Sequence, residues 1–139
     1  MKIIFVRHGE PDYSQDALTE KGKREAALVA ERIKNWKVDE FFVSPFGRAK
    51  DTAAPTLEAL GAEATTLPWL REFSYQIISP TFSETSVPWD YVPSFLYSDE
   101  RLTSMDEWVD VPPMSDNEDI RENYPKVKEG IDEILLKYG

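Results

Sequence analysis

The chain opens on an apolar run, Ile3-Ile4-Phe5-Val6, that does not alternate with polar residues before Arg7. A run of that kind suits a strand covered on both faces, so residues 2–7 are predicted as a buried strand. From Thr19 to about Asn35 the spacing becomes helical, with Ala26, Val29, Ala30 and Ile33 on one face and Thr19 placed to cap the start. Phe41-Phe42-Val43 supplies a second buried strand. Strand, helix and strand make a βαβ unit, which predicts two parallel strands joined by a right-handed crossover.

Ser44-Pro45 ends that strand and launches a second helix, in which Ala49, Thr52, Ala53, Leu57 and Leu60 share a face. Gly61 marks its C-terminal stop, and Pro55 inside it predicts a kink or a shorter first turn. Ala64 to Leu67 offers a short third strand. Residues 68–115 lose this order. They hold three of the four tryptophans, with many Ser, Thr, Asp and Pro residues and no clean period. The segment is too aromatic for a disordered linker and reads as an ordered insertion or lid. Ser115-Asp116-Asn117-Glu118 resembles a capping box, and Ile120, Tyr124, Val127, Ile131, Leu135 and Tyr138 then form a helical stripe, with Pro125 near its first turns. The expectation is one α/β domain over residues 1–139, with its core in 1–67 and 116–139 and the insertion at about 68–115.

Composition narrows the partners. The 139 residues carry 16 Lys and Arg against 26 Asp and Glu, a net charge of −10. That balance argues against nucleic acid and anionic membranes, and an anionic ligand would need a local basic pocket. No cysteine is present, so disulfides and thiolate metal sites are excluded. No segment approaches the ~20 apolar residues of a membrane span, and the N-terminal run is too short for a signal-peptide core. A cytoplasmic protein is expected.

The chemistry gathers at strand ends. In a parallel sheet the functional groups collect at the carboxyl edge, where Arg7 and His8 leave the first strand and Ser44 through Arg48 leave the second. His8 is the only histidine. Arg7 and Arg48 beside it would hold a phosphoryl group by forked, charge-assisted hydrogen bonds and stabilise its transition-state charge. His8 would attack as a neutral nucleophile and form a transient phosphohistidine. Glu72, in Trp69-Leu70-Arg71-Glu72-Phe73, lies among apolar neighbours that would raise its pKa and suit it to protonate the leaving oxygen.

These motifs resemble the histidine phosphatase superfamily, the phosphoglycerate mutase-like proteins. Arg7-His8-Gly9-Glu10 is similar to the family signature after the first strand, and Leu18-Thr19 with Gly22 and Ala26 to the opening of its first helix. Ser44-Pro45-Phe46-Gly47-Arg48-Ala49-Lys50-Asp51-Thr52-Ala53 resembles the segment that carries its second phosphate-binding arginine. Glu72 falls where its proton donor is expected. The resemblance implies a three-layer α/β/α fold with a mainly parallel sheet. It implies a metal-independent phosphomonoester hydrolase or a phosphomutase, with no cofactor and a small-molecule phosphate ester as substrate.

Two positions depart from the family pattern. Where many members place a phosphate-orienting asparagine, six residues after the nucleophile, this chain has Ser14, whose hydroxyl can do part of that work. The family's second histidine, on a later strand, has no counterpart. The expectation is therefore a fold incomplete at its C-terminus: the first two-thirds of a longer protein, or a chain that recovers the strand by association, as in a homo-oligomer. A non-catalytic phosphate-binding module is the alternative. Outside the site, Thr19 reads first as a cap, and most of Trp69, Phe73, Tyr75, Trp89, Tyr91 and Trp108 as core packing. Glu10 reads as a structural carboxylate as readily as a site residue, and Asp116 to Asp119 as a helix start with no metal constellation.

Overall fold

Thr19 opens the first helix as its pattern predicts. Its hydroxyl accepts the Gly22 N–H at 3.1 Å, and helix α1 runs Glu20–Ile33 with Gly22, Ala26, Ala30 and Ile33 buried. The chain is seen here in a computed structural model that describes residues 1–78 and 85–139. It divides into two compact units, 1–71 and 72–139. Both combine helices with short strands, an α/β architecture.

In the first unit, β1 (Pro11–Asp12) and β2 (Ala17–Leu18) form an antiparallel ladder ahead of α1. Strand β3 (Phe42–Val43) then leads to α2 (Gly47–Leu60), which ends on Gly61 in the left-handed conformation (φ 60°), the geometry that favours glycine at a helix end. Pro55 lies inside this continuous helix. Strand β4 (Thr65–Thr66) returns parallel to β3, with Phe42 opposite Thr65 and Val43 opposite Thr66. Helices α1 and α2 pack closely on each other, with Ala26, Ala30 and Ile33 of the first and Thr52 and Thr56 of the second buried.

The expected first strand does not form. Residues 2–7 take no strand pairing and are exposed, Phe5 at 85%. The predicted parallel partner, 41–43, pairs with β4 instead. A strand needs a ladder partner for its backbone polar groups, and among the described residues none lies alongside 2–7. The described sheets are accordingly three two-stranded ladders of two residues per strand, of which only β3–β4 is parallel.

The second unit groups the aromatic segment with the last helix. Strand β5 (Ile77–Ile78) pairs antiparallel with β6 (Thr85–Ser86). The part of the expected insertion at 79–84 lies outside the described residues. Short helix α3 (Pro93–Leu96) and single turns at Glu100–Thr103 and Trp108–Asp110 lead to α4 (Glu118–Tyr138). Ile77, Tyr91, Leu102, Val111, Met114 and Ile120 form the core, with Phe73, Tyr75 and Trp108 packed against it. Phe73 meets Tyr75 edge-on at 4.7 Å, and Trp108 meets Tyr124 at 5.0 Å. Core packing is thus the role of Phe73, Tyr75, Tyr91 and Trp108, whereas Trp89 is 64% exposed. No helix among the described residues is long and apolar enough to cross a membrane.

Ile120 is 0% exposed in that core. Ile120→Ala is expected to lower the stability of this unit by about 2–5 kcal/mol, the cost of the lost apolar contact and the cavity left behind. Urea unfolding followed by tryptophan fluorescence reads the shift, and an unchanged midpoint would contradict the core assignment.

Candidate active site

His8 is half-buried in the turn that joins the exposed N-terminal segment to β1. Its Nδ1 lies 2.8 Å from the carbonyl oxygen of Gly9. A carbonyl can only accept, so Nδ1 carries a proton, and in the neutral ring Nε2 is then the nitrogen with the lone pair. The next residue ties this turn to α2. The Gly9 N–H donates to Thr52 Oγ1 at 3.1 Å, and the Thr52 hydroxyl donates to the Arg48 carbonyl at 2.7 Å. The backbone beside His8 is therefore anchored one helical turn from Arg48, through a buried threonine.

Arg48 is the second residue of α2 and only 7% exposed. Its Nη1 donates to Asp16 Oδ1 at 2.6 Å, while Asp16 Oδ2 accepts the Gly47 N–H at 2.6 Å. The guanidinium lies over the Phe46 ring at 4.2 Å from its centroid and 5.4 Å from that of Tyr13; Arg71 approaches the same Phe46 ring at 5.6 Å. Asp16 holds φ at 48°, a left-handed conformation that aspartate tolerates better than most residues. A Cβ on Gly47 would stand 2.1 Å from the Asp16 carbonyl oxygen, so the close approach of the two segments requires glycine there.

The Gly47 N–H, with Arg48 adding to it, holds the Asp16 carboxyl below the usual carboxylate range. A carboxyl whose folded pKa lies below its unfolded value of about 3.9 adds stability above that pH and loses it as the pH falls through the folded value. Asp16→Asn is therefore expected to flatten the acid side of the stability profile below about pH 4. Melting temperatures of both proteins across that range provide the check, and parallel profiles would contradict it.

The remaining candidates stand differently. Ser14 is exposed, and both its N–H and its hydroxyl donate to Asp12 Oδ1, at 2.9 and 2.6 Å. That is a loop-closing role. Arg7 is exposed and makes no ion pair with a described residue. Glu72 is exposed at the start of the second unit, not enclosed by the apolar neighbours its sequence suggests. Glu10 accepts from the Thr19 hydroxyl at 2.7 Å and pairs with Lys21 at 3.2 Å, which lowers its pKa through Thr19 first; it serves the start of α1. Asp16 and Thr52 are the residues that sequence reasoning missed as site components. The available signal was Gly47-Arg48 at a helix start, a donor pair that calls for a nearby carboxylate. Among the described residues no three His, Cys, Asp or Glu side chains gather as a metal-ligand set.

The family model described as "Histidine phosphatase superfamily (branch 1)" matches residues 3–138. A "Probable phosphoglycerate mutase GpmB" of Yersinia enterocolitica is 30% identical over 97 residues, 63% of this chain and 45% of that protein. The Serratia proteamaculans protein of the same name is 29% identical over the same shares. That of Photorhabdus laumondii is 31% identical over 87 residues, 56% of this chain and 40% of its own length. The chain thus spans less than half the length of the curated relatives it matches. No solved structure matches it. With the family model covering nearly every residue, the chain belongs to the histidine phosphatase superfamily, branch 1.

Proposed function

We propose that the protein is a metal-independent phosphomonoester hydrolase that takes the phosphoryl group onto His8 Nε2. The observation that supports this reading is the 2.8 Å bond between His8 Nδ1 and the Gly9 carbonyl, which in a neutral ring leaves the lone pair on the other nitrogen, the proposed nucleophile. In the first step the Nε2–P bond forms as the ester P–O bond breaks, and the leaving oxygen takes a proton from Glu72, the proposed acid. Water then attacks phosphorus, the P–N bond breaks, and the water's proton returns to the carboxylate. Arg7 and Arg48 would hold the equatorial oxygens, with Ser14 as a further donor.

Phosphomutase activity is the second reading, favoured by the names of the relatives. It would use the same phosphohistidine and pass the group to a second hydroxyl instead of water. A non-catalytic phosphate-binding role is favoured by the single histidine. The three-layer, mainly parallel sheet, in which residues 2–7 would be a paired strand, belongs to the proposal for the whole protein. So do a cytoplasmic location and a small-molecule phosphate ester as partner.

Brief incubation with a radiolabelled phosphate ester, followed by denaturation, tests the covalent step. Acid-labile, alkali-stable label on His8 is expected, and its absence during turnover would sink the phosphohistidine. Phosphate released without an alcohol acceptor supports hydrolysis; label passed only to a second hydroxyl supports the mutase.

A further inference from the structure

We propose that Asp16 is a positioning residue for Arg48, acting on phosphate through that guanidinium and not by touching substrate. This rests on the reading of Arg48 as a phosphate ligand. Three observations carry it. One carboxylate grips both the Gly47 N–H and Arg48 Nη1, each at 2.6 Å, so it joins the first two residues of α2 to the loop before α1. The grip depends on a left-handed aspartate, φ 48°, facing a glycine whose Cβ would lie 2.1 Å from its carbonyl oxygen. Backbone geometry is thus committed on both sides of the pair. Finally, the Phe46 ring stands 4.2 Å from the guanidinium. A planar group gripped by a carboxylate and set over an aromatic face has little orientational freedom left before an anion arrives.

The sign of the effect separates this role from a plain counter-charge. A carboxylate beside an anion site repels the anion, and on Coulomb grounds alone its removal strengthens binding. A positioning carboxylate does the opposite, because its loss frees a long side chain that must be reordered on binding. Aspartate and its two neutral replacements then rank by shape. Asparagine keeps an acceptor for Gly47 and tolerates the left-handed backbone; alanine keeps neither.

The test is orthovanadate affinity, measured by calorimetry on the wild-type protein, on Asp16→Asn, Asp16→Ala and Arg48→Ala, and on the Asp16→Ala/Arg48→Ala double variant. Circular dichroism monitors folding. The expected result is binding weakened about threefold by asparagine and about tenfold or more by alanine. In the Arg48→Ala background Asp16→Ala should have no further effect, because the two residues act as one. Equal or tighter binding by either Asp16 variant overturns the proposal, as does a full additional loss in the double variant. If the alanine variant does not fold, asparagine decides alone: weaker binding supports positioning and tighter binding refutes it. A wild type that binds no vanadate removes the phosphate-site reading and this proposal with it. Wild-type binding that the Asp16 variants leave unchanged removes this proposal only.

Discussion

His8→Ala is expected to cut phosphate-ester turnover by at least about 10³-fold, some 4 kcal/mol of transition-state stabilisation at 1.36 kcal/mol per decade. No other imidazole is present to substitute for it. The loss should fall on kcat as well as kcat/KM, because on the proposed route bond formation to phosphorus is the interaction removed and the proposed phosphate contacts remain. Folding should change little. The ring is half-buried, and its hydrogen bond runs only to the adjacent carbonyl of Gly9. His8→Gln makes the sharper control, since it keeps polar bulk but offers no ring nitrogen lone pair. Steady-state hydrolysis of an aryl phosphate, with unfolding midpoints measured in parallel, gives the answer. Wild-type rates in a folded His8 variant would remove the nucleophile assignment. A matched fall in rate and stability would make His8 a structural residue.

What could be read in advance was what neighbours in sequence decide. Thr19 caps α1 and Gly61 ends α2 in the left-handed conformation, because capping and glycine freedom act within one helical turn. The expected pairing of residues 2–7 with 41–43 failed for the opposite reason. Phe42 and Val43 were readable as a strand, and so was the segment Ala64 to Leu67 that holds their partners Thr65 and Thr66, but not the choice of partner: the far more apolar Ile3-Ile4-Phe5-Val6 pairs with nothing described. Hydrophobicity proposes a strand and only a partner makes one. The start of α4 shows a tertiary contact overruling a local motif. Ser115 with Glu118 fits a capping box, yet Asn117 is the cap: it accepts the Ile120 N–H at 3.0 Å while its amide donates to the Gln76 carbonyl at 2.8 Å. The Ser115 hydroxyl turns to Asp116. The candidacy of His8 and Arg48 came from residue type and order, whereas the contact that Asp16 makes was not legible. Its significance depends on a contact 32 positions away in the chain.

Gly22→Ala should destabilise the first unit by about 2–4 kcal/mol, although alanine in place of glycine normally stabilises a helix by about 1 kcal/mol. Gly22 is the third residue of α1, and the turn that follows His8 crosses it at backbone contact. A Cβ there would lie 2.3 Å from the Glu10 carbonyl oxygen, 3.0 Å from its nitrogen and 3.1 Å from its carbonyl carbon. All three are main-chain atoms, so no side chain can rotate out of the way. Glu10 would have to move, and it is held from both sides. Its carbonyl accepts the Thr19 N–H at 3.0 Å and its N–H donates to Glu25 Oε2 at 2.8 Å. Loss of even one such bond adds about 1 kcal/mol to the overpacking. Gly9 faces the same point, since its own Cβ would stand 2.7 Å from the Gly22 carbonyl oxygen, so the turn cannot retreat toward His8 without carrying Gly9 and its bond to Thr52 along. Activity should therefore fall with stability. Ala27→Gly, at an exposed position of the same helix, supplies the control and should cost about 1 kcal/mol by propensity alone. Urea midpoints at constant slope measure both variants. A Gly22→Ala protein as stable as the wild type, or more so, would mean that the turn beside His8 does not press on α1, and the packing that fixes that turn would have to lie elsewhere.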